Sequence, residues 1–395
     1  PLAPPLLAAD PATMRAAVLL ALGAVCVAAE AFVPSASALP SKQPTLMKRI
    51  GRNPAAGAPA GPLAPVLMTA SEGAAPEPAV AGEAPLAKLW QAAKVPVFIT
   101  LWYLFNIGYN ISNKKALNAL DLPWTIALIQ LVGGLLYVFP LWLTGLRKAP
   151  KLSMDNVKTL TPVASMHLGT HIGAVISLGA GAVSFTHIVK AGEPVVSALL
   201  SAVVLKKYFS LPTYLSLIPV VAGVGLASAK ELSFTWLGFA AAMLSNVSSA
   251  CRGIYSKKTM TGKPLGENLT AANMYAVLTI IATVILTPLA LAIEGPRIGP
   301  VWEAAMASGL SAQAVIKDVL MSAVYYYLYN EVAFLALEQV NPVTHAVANT
   351  IKRVVIIIAA IIAFGTPVTF LGSLGSGIAI FGVLLYSLAK QKFDK

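Results

Sequence analysis

Lys352 and Arg353 stand side by side in an apolar run, with Asn341 and Pro342 before it and Val354 to Phe364 after it. No Asp or Glu lies between Glu338 and Asp394. Holding a cation in hydrocarbon costs about 2.5 to 3.5 kcal/mol even on lenient insertion scales, so two adjacent ones without a local carboxylate call for a partner outside the chain. The natural partner is an anion that comes and goes. Lys190 lies in a second such run, with Glu193 three residues on and on the same helical face, where a local ion pair is the alternative. A guanidinium offers planar bidentate donors and an ammonium a compact point charge, a pairing that suits a tetrahedral phosphate dianion. Arg252 reads either as a cavity residue or as a snorkelling cation, and Glu331 as a carboxylate able to reach the cations across a bundle.

These groups must be carried by membrane helices. Apolar residues make up 57% of the 395 and charged ones 11%, and several windows from Val95 onward reach the roughly 20 weakly polar residues that cross a bilayer. The 28 Lys and Arg against 16 Asp and Glu give a net charge of +12. Much of that excess sits near helix ends or inside helices, without the basic, aromatic-bearing soluble module that nucleic-acid binding needs. Cys26 and Cys251 form neither a disulfide framework nor a zinc spacing, and no nucleophile elbow, P-loop or HExxH motif is present, so the chain does not read as an enzyme and no cofactor is implied.

Hydrophobic runs punctuated by Pro, Gly and charges predict ten helices near 95–117, 123–145, 158–179, 184–206, 211–229, 233–256, 270–293, 313–339, 342–364 and 367–389. The third, fourth and ninth have polar or charged interiors that neighbours must cover. The chain also repeats itself: Ser112-Asn113-Lys114-Lys115 recurs as Tyr255-Ser256-Lys257-Lys258, and Thr186-His187-Ile188-Val189 as Thr344-His345-Ala346-Val347, each five spans on. Five spans per repeat force opposite orientations, and inverted repeats put a substrate site at their interface near the midplane. The expected fold is an all-α membrane protein of ten transmembrane helices in two inverted five-helix repeats, about 95–230 and 231–394. The fourth and ninth helices are then symmetry mates, so Lys190 can meet Lys352 and Arg353 in one cavity.

His167 and His171 are four apart on one helical face, but no Cys or carboxylate joins them there, so no metal site is expected. His171 lines the cavity or bonds a neighbouring helix. Tyr325, Tyr326, Tyr327 and Tyr329 point around their helix, so only one or two can face a cavity. The lysine pairs 114–115, 206–207 and 257–258 lie at helix ends as interfacial anchors or orientation signals.

Residues 1–94 read as an address. Met14 and Arg15, the apolar Ala16 to Ala29, and the small Ala28, Ala29 and Ala31 form a secretory signal at about 14–30. The following stretch to residue 94 opens with a run free of acidic residues to Ser71, carrying Lys42, Lys48, Arg49 and Arg52 among Ala, Pro and Ser, as in a transit peptide. The AEAFVP junction resembles the bipartite presequences of algae with secondary plastids; a secretory signal with a Pro-rich linker is the plainer alternative. Residues 1–13 carry no pattern.

From about Lys94 to Lys392 the chain resembles the plastidic phosphate translocators of the drug and metabolite transporter superfamily. The strings that carry the resemblance are NISNKKALN at 110–118, VSFTHIVKAGEPV at 183–195, IYSKKTM at 254–260, YLYNE at 327–331 and THAVANTIKR at 344–353. The resemblance implies strict exchange of a phosphorylated sugar or acid for inorganic phosphate. It assigns phosphate to Lys190, Lys352 and Arg353, and the organic moiety to His171 and Tyr329. Ala174 stands where triose-phosphate members usually carry Thr, as in the hexose- and pentose-phosphate branches, whereas THAVANTIKR is closer to the triose-phosphate branch. Glu331 stands where Gln is usual. The expected partners are inorganic phosphate, phosphorylated small molecules and the lipid bilayer of a plastid envelope, with no obligatory protein partner. Two rivals remain: a nucleotide-sugar transporter of the Golgi or endoplasmic reticulum, and a membrane receptor or scaffold that transports nothing.

Overall fold

A computed structural model of the protein describes residues 85–229, 231–260, 265–340, 342–367 and 369–394. The leader assigned to residues 1–94 lies outside the described residues up to position 84, and its last ten residues are already helical. Among the described residues the named elements are all helices, apart from an isolated antiparallel bridge between Lys151 and Glu267: α1 (Pro85–Ala119), α2 (Pro123–Leu143), α3 (Met154–Ala180), α4 (Val183–Lys190), α5 (Glu193–Leu205), α6 (Leu211–Leu215), α7 (Leu217–Ala229), α8 (Trp236–Met260), α9 (Ala271–Ala307), α10 (Ala312–Gln339), α11 (Pro342–Phe364) and α12 (Phe370–Phe393). The pairs α4–α5 and α6–α7 each fill one expected span, interrupted at Ala191–Gly192 and at Ser216. Ten helical segments therefore stand where the hydrophobic runs placed them.

Seven of these segments are long and apolar enough to cross a membrane. The exceptions are α1, α8 and α10, all of them longer than a bilayer requires. Their apolarity is diluted by side chains turned inward: Asn106, Asn110 and Asn113 on α1, Ser245, Asn246 and Ser248 on α8, and Ser322 and Glu331 on α10 are all buried. The third, fourth and ninth segments bury polar and charged side chains as expected, among them His171, Thr186 and Arg353, and α1, α8 and α10 join them.

Local chemistry starts and stops the helices. Ser153 and Thr270 cap α3 and α9 by accepting the N–H of Asn156 and Asn273. The first turn of α2 has no cap of its own. The buried carboxylate of Glu294, on α9, instead accepts the N–H groups of Trp124 at 3.1 Å and Thr125 at 2.8 Å, along with the Thr125 hydroxyl at 2.8 Å. At the other end of this pair, Trp142 donates to Asn273 Oδ1 at 3.1 Å and Asn273 donates to Lys148 O at 2.9 Å. The helix α9 runs on to Ala307 rather than ending near 293, with Glu294 held against α2 just past the expected end. Pro296 and Pro300 are carried inside it, as membrane helices tolerate where neighbours compensate the freed carbonyls.

Packing follows a repeating scheme. The first segment packs on the eighth (α1 on α10) as the third does on the sixth (α3 on α8), and exchanging the first five segments with the last five turns one contact into the other. Among the other contacts, α2 on α9, α4 on α11 and α7 on α12 map onto themselves, while α2 on α10 exchanges with α3 on α9. With no aqueous drive between helices in lipid, such contacts depend on close approach through small residues. At α7–α12 a Cβ on Gly223 would lie 2.6 Å from Gly375 O, and one on Gly375 would lie 2.6 Å from Ala227 N. Replacing Gly223 with Val should therefore destabilise the protein in detergent by at least about 2 kcal/mol. Gly225→Val, two residues on with nothing within 4 Å, is the control that should leave the unfolding midpoint in place.

Candidate functional site

The break in the fourth segment sets up the site. Lys190 closes α4 and Glu193 opens α5. A cation at a helix C-terminus and an anion at an N-terminus each meet the favourable end of a dipole, so the interruption suits both charges. Lys352 and Arg353 are consecutive on α11 and leave it about 100° apart. The Lys352 ammonium lies 4.5 Å from the centroid of the Trp102 ring on α1, while Arg353 donates to Glu193 Oε2 at 3.1 Å.

Lys190, Lys352 and Arg353 thus line one cavity, about 390 Å³ in volume. Arg252 joins them and donates to His167 Nδ1 at 3.1 Å. Four cations face the single carboxylate of Glu193 among the charged residues lining this space. Arg353 therefore has a partner within the chain, supplied from α5 rather than from its own helix, which corrects the expectation that both cations on α11 lack one. Among the described residues no carboxylate comes within ion-pair distance of Lys352, and Lys190 turns to the Ser245 hydroxyl instead of pairing with Glu193.

His171, Ala174 and Tyr329 line the same cavity. His171 does both things expected of it: its Nε2 donates to Ala127 O at 3.3 Å, and its ring lies 4.0 Å from that of Tyr326. Tyr329 packs against Tyr109 at 5.2 Å and edge-on to Tyr326 at 5.7 Å. Of the tyrosine cluster, Tyr326 and Tyr329 reach the cavity, whereas Tyr325 packs on Phe105 and Tyr327 on Tyr137 and Tyr275. Among the described residues no group of three His, Cys, Asp or Glu is placed to hold a metal.

Glu331 does not join the cavity. Two residues beyond Tyr329 it points about 200° away around α10, where Arg147 from the α2–α3 loop binds both its oxygens. Sequence reasoning missed the wall built by α1. Trp102, Asn106 and Asn110 line the cavity from one helical face, with Asn110 accepting from His187 Nε2 at 2.8 Å. Their spacing of four was the available signal. A second cavity of about 220 Å³ is walled by Ile188, Ile357, Ile361 and Ile380, carries only Glu231 as a charged residue, and does not suit an anion.

The two charge clusters should respond differently to mutation. Glu331→Ala leaves a mostly buried guanidinium without its acceptor and should cost about 2 kcal/mol of stability, with substrate affinity unchanged within about twofold. Thermal unfolding and a binding isotherm on the purified variant check both halves of that expectation.

The comparisons with known proteins agree with this architecture. The profile of the Triose-phosphate Transporter family matches residues 93–387. The chain is 41% identical over 303 residues to the glucose-6-phosphate/phosphate translocator 2, chloroplastic, of Arabidopsis thaliana, covering 76% of each. It is 40% identical over 317 residues to the phosphoenolpyruvate/phosphate translocator 2, chloroplastic, of the same plant, covering 80% of this chain and 82% of the relative. With the triose phosphate/phosphate translocator, chloroplastic, of Spinacia oleracea it shares 39% over 322 residues, covering 80% and 78%. A family match over most of the chain, together with relatives of this identity and coverage, establishes that the protein belongs to the Triose-phosphate Transporter family and is a transporter rather than an enzyme.

Proposed function

We propose that the protein exchanges inorganic phosphate for a phosphorylated C3 compound or sugar across a plastid envelope membrane. The observation that carries this reading is the excess of cations over carboxylates in one buried cavity. A site of that kind asks for a multiply charged anion, and phosphate is common to the names of all three relatives. In this reading Lys190, Lys352 and Arg353 hold the phosphoryl group, with Arg252 beside them. His171, Ala174 and Tyr329 bound the organic end. Triose phosphate or 3-phosphoglycerate is the favoured organic substrate, because the THAVANTIKR string that carries His345, Lys352 and Arg353 resembles that branch. Ala174 and the likeness to a glucose-6-phosphate carrier favour a second reading, a hexose or pentose phosphate.

The ten segments act as two inverted five-helix repeats, a reading supported by the packing scheme in which the halves exchange places. Rocking of one half against the other then exposes the midplane cavity to each side in turn. The charges enforce exchange. Two like charges about 8 Å apart at an effective dielectric near 20 repel by about 2 kcal/mol, and closing the cavity against water increases the penalty. Glu193 offsets one cation and phosphate offsets the rest, so the loaded carrier closes and the empty one resists. The AEAFVP junction supports a two-step route into a plastid bounded by additional membranes. A nucleotide-sugar carrier or a silent receptor would lack phosphate flux altogether.

Two measurements test the reading. Phosphate-loaded proteoliposomes offered triose phosphate, 3-phosphoglycerate, phosphoenolpyruvate, pentose phosphate and glucose 6-phosphate in turn should release phosphate fastest against the C3 compounds. Faster release against glucose 6-phosphate selects the second reading. Lys352→Gln should abolish phosphate counter-exchange while the protein still inserts, and unchanged exchange in that variant would remove the basis of the mechanism.

A further inference from the structure

Lys190 and Glu193 flank the break in the fourth segment and are three residues apart, a spacing at which opposite charges on a helix pair. Low dielectric strengthens that attraction. Yet the two do not pair here. Glu193 is taken by Arg353 at 3.1 Å, and the Lys190 ammonium donates to Ser245 Oγ.

We propose that Ser245 and Ser249 are positioning residues that keep Lys190 and Glu193 from neutralising each other, leaving Lys190 available to the phosphoryl group. This inference rests on the phosphate reading above. The two serines lie one turn apart on α8, facing the break, and their hydroxyls carry opposite roles. Ser245 is fully buried and commits its proton to Thr170 O at 2.8 Å, so it can offer Lys190 only a lone pair. Ser249 commits its proton to Glu193 Oε1 at 2.5 Å, so the carboxylate receives a donor. Each charge thus meets the polarity it needs, and the pair is drawn apart along α8.

The ladder is held rigidly. A Cβ at Gly173 on α3 would lie 2.9 Å from Ser245 N, so α3 and α8 touch at that level. Asn246, next along α8, donates to Val189 O at 2.9 Å and ties the last turn of α4 to the same helix. Without the Ser245 oxygen, Lys190 keeps its charge but loses its acceptor. The nearest replacement along its own segment is Glu193, and an ion pair there, added to the one Glu193 makes with Arg353, engages a second of the three cations assigned to phosphate.

Phosphate homo-exchange in proteoliposomes tests the idea through a double-mutant comparison. S245A should raise the KM for phosphate about tenfold with the maximal rate little changed, and S249A should shift KM in the same direction. Adding S245A to an E193Q background should change KM by less than about twofold, because the competing carboxylate has gone. Ser249 is half-buried, so S249A carries the same comparison should S245A fail to insert. An unchanged KM in the single serine variants, or an equally large rise with and without Glu193, overturns the inference while leaving the exchange reading intact. Absence of phosphate exchange in the unmutated carrier overturns both.

Discussion

The molecule is organised around positive charge that it does not neutralise. Lys190, Arg252, Lys352 and Arg353 share a cavity with one carboxylate, Glu193, inside a bundle whose surroundings are hydrocarbon. Buried charge left without a counter-ion is strongly destabilising, so every feature near the cavity reduces that cost without abolishing the charge. The fourth segment breaks so that Lys190 ends one helix and Glu193 begins another. Lys352 rests against the Trp102 ring, an attraction that stabilises a cation without neutralising it. Arg252 leans on a histidine nitrogen rather than on an acid. These are partial accommodations, and in the proposed function the remainder is left to a mobile anion.

The scaffold divides between contacts that look fixed and contacts that surround the cavity. The α7–α12 pair meets backbone to backbone through Gly223 and Gly375, and α2 and α9 are tied at both ends by Glu294 and Asn273. The lining comes instead from α1, α3, α4, the start of α5, α8, α10 and α11, where amides, hydroxyls and rings meet. Arg147 and Glu331 fasten the α2–α3 loop to α10 outside the cavity, so that pair belongs to the scaffold even though it is charged.

Much of this was legible in the chain. Hydropathy located all ten segments, and the cations on the fourth and ninth runs pointed to one another because the repeated Thr-His strings relate those runs. What stayed hidden depended on partners distant in sequence. Glu193 reads locally as the mate of Lys190, and only the folded bundle brings Arg353 to it. Glu331 reads as a reach toward the cations until the helical angle from Tyr329 turns it away. The Asn106 and Asn110 stripe was visible as a four-residue spacing but carries no charge, and a search for charges passes over it. Pro296 and Pro300 read as a stop, whereas α9 carries both inside it, past the Glu294 tie to α2 that cannot be seen along the chain.

The central claim is that a phosphoryl group supplies the charge missing from this cavity. Arsenate is a close analogue of phosphate with a strong anomalous signal, and diffraction from crystals grown with it reports directly where the oxyanion sits. The account predicts one dominant peak within hydrogen-bonding reach of Lys190, Lys352 and Arg353. A cavity without arsenic, or a peak confined to the lysine-rich helix ends, would contradict it.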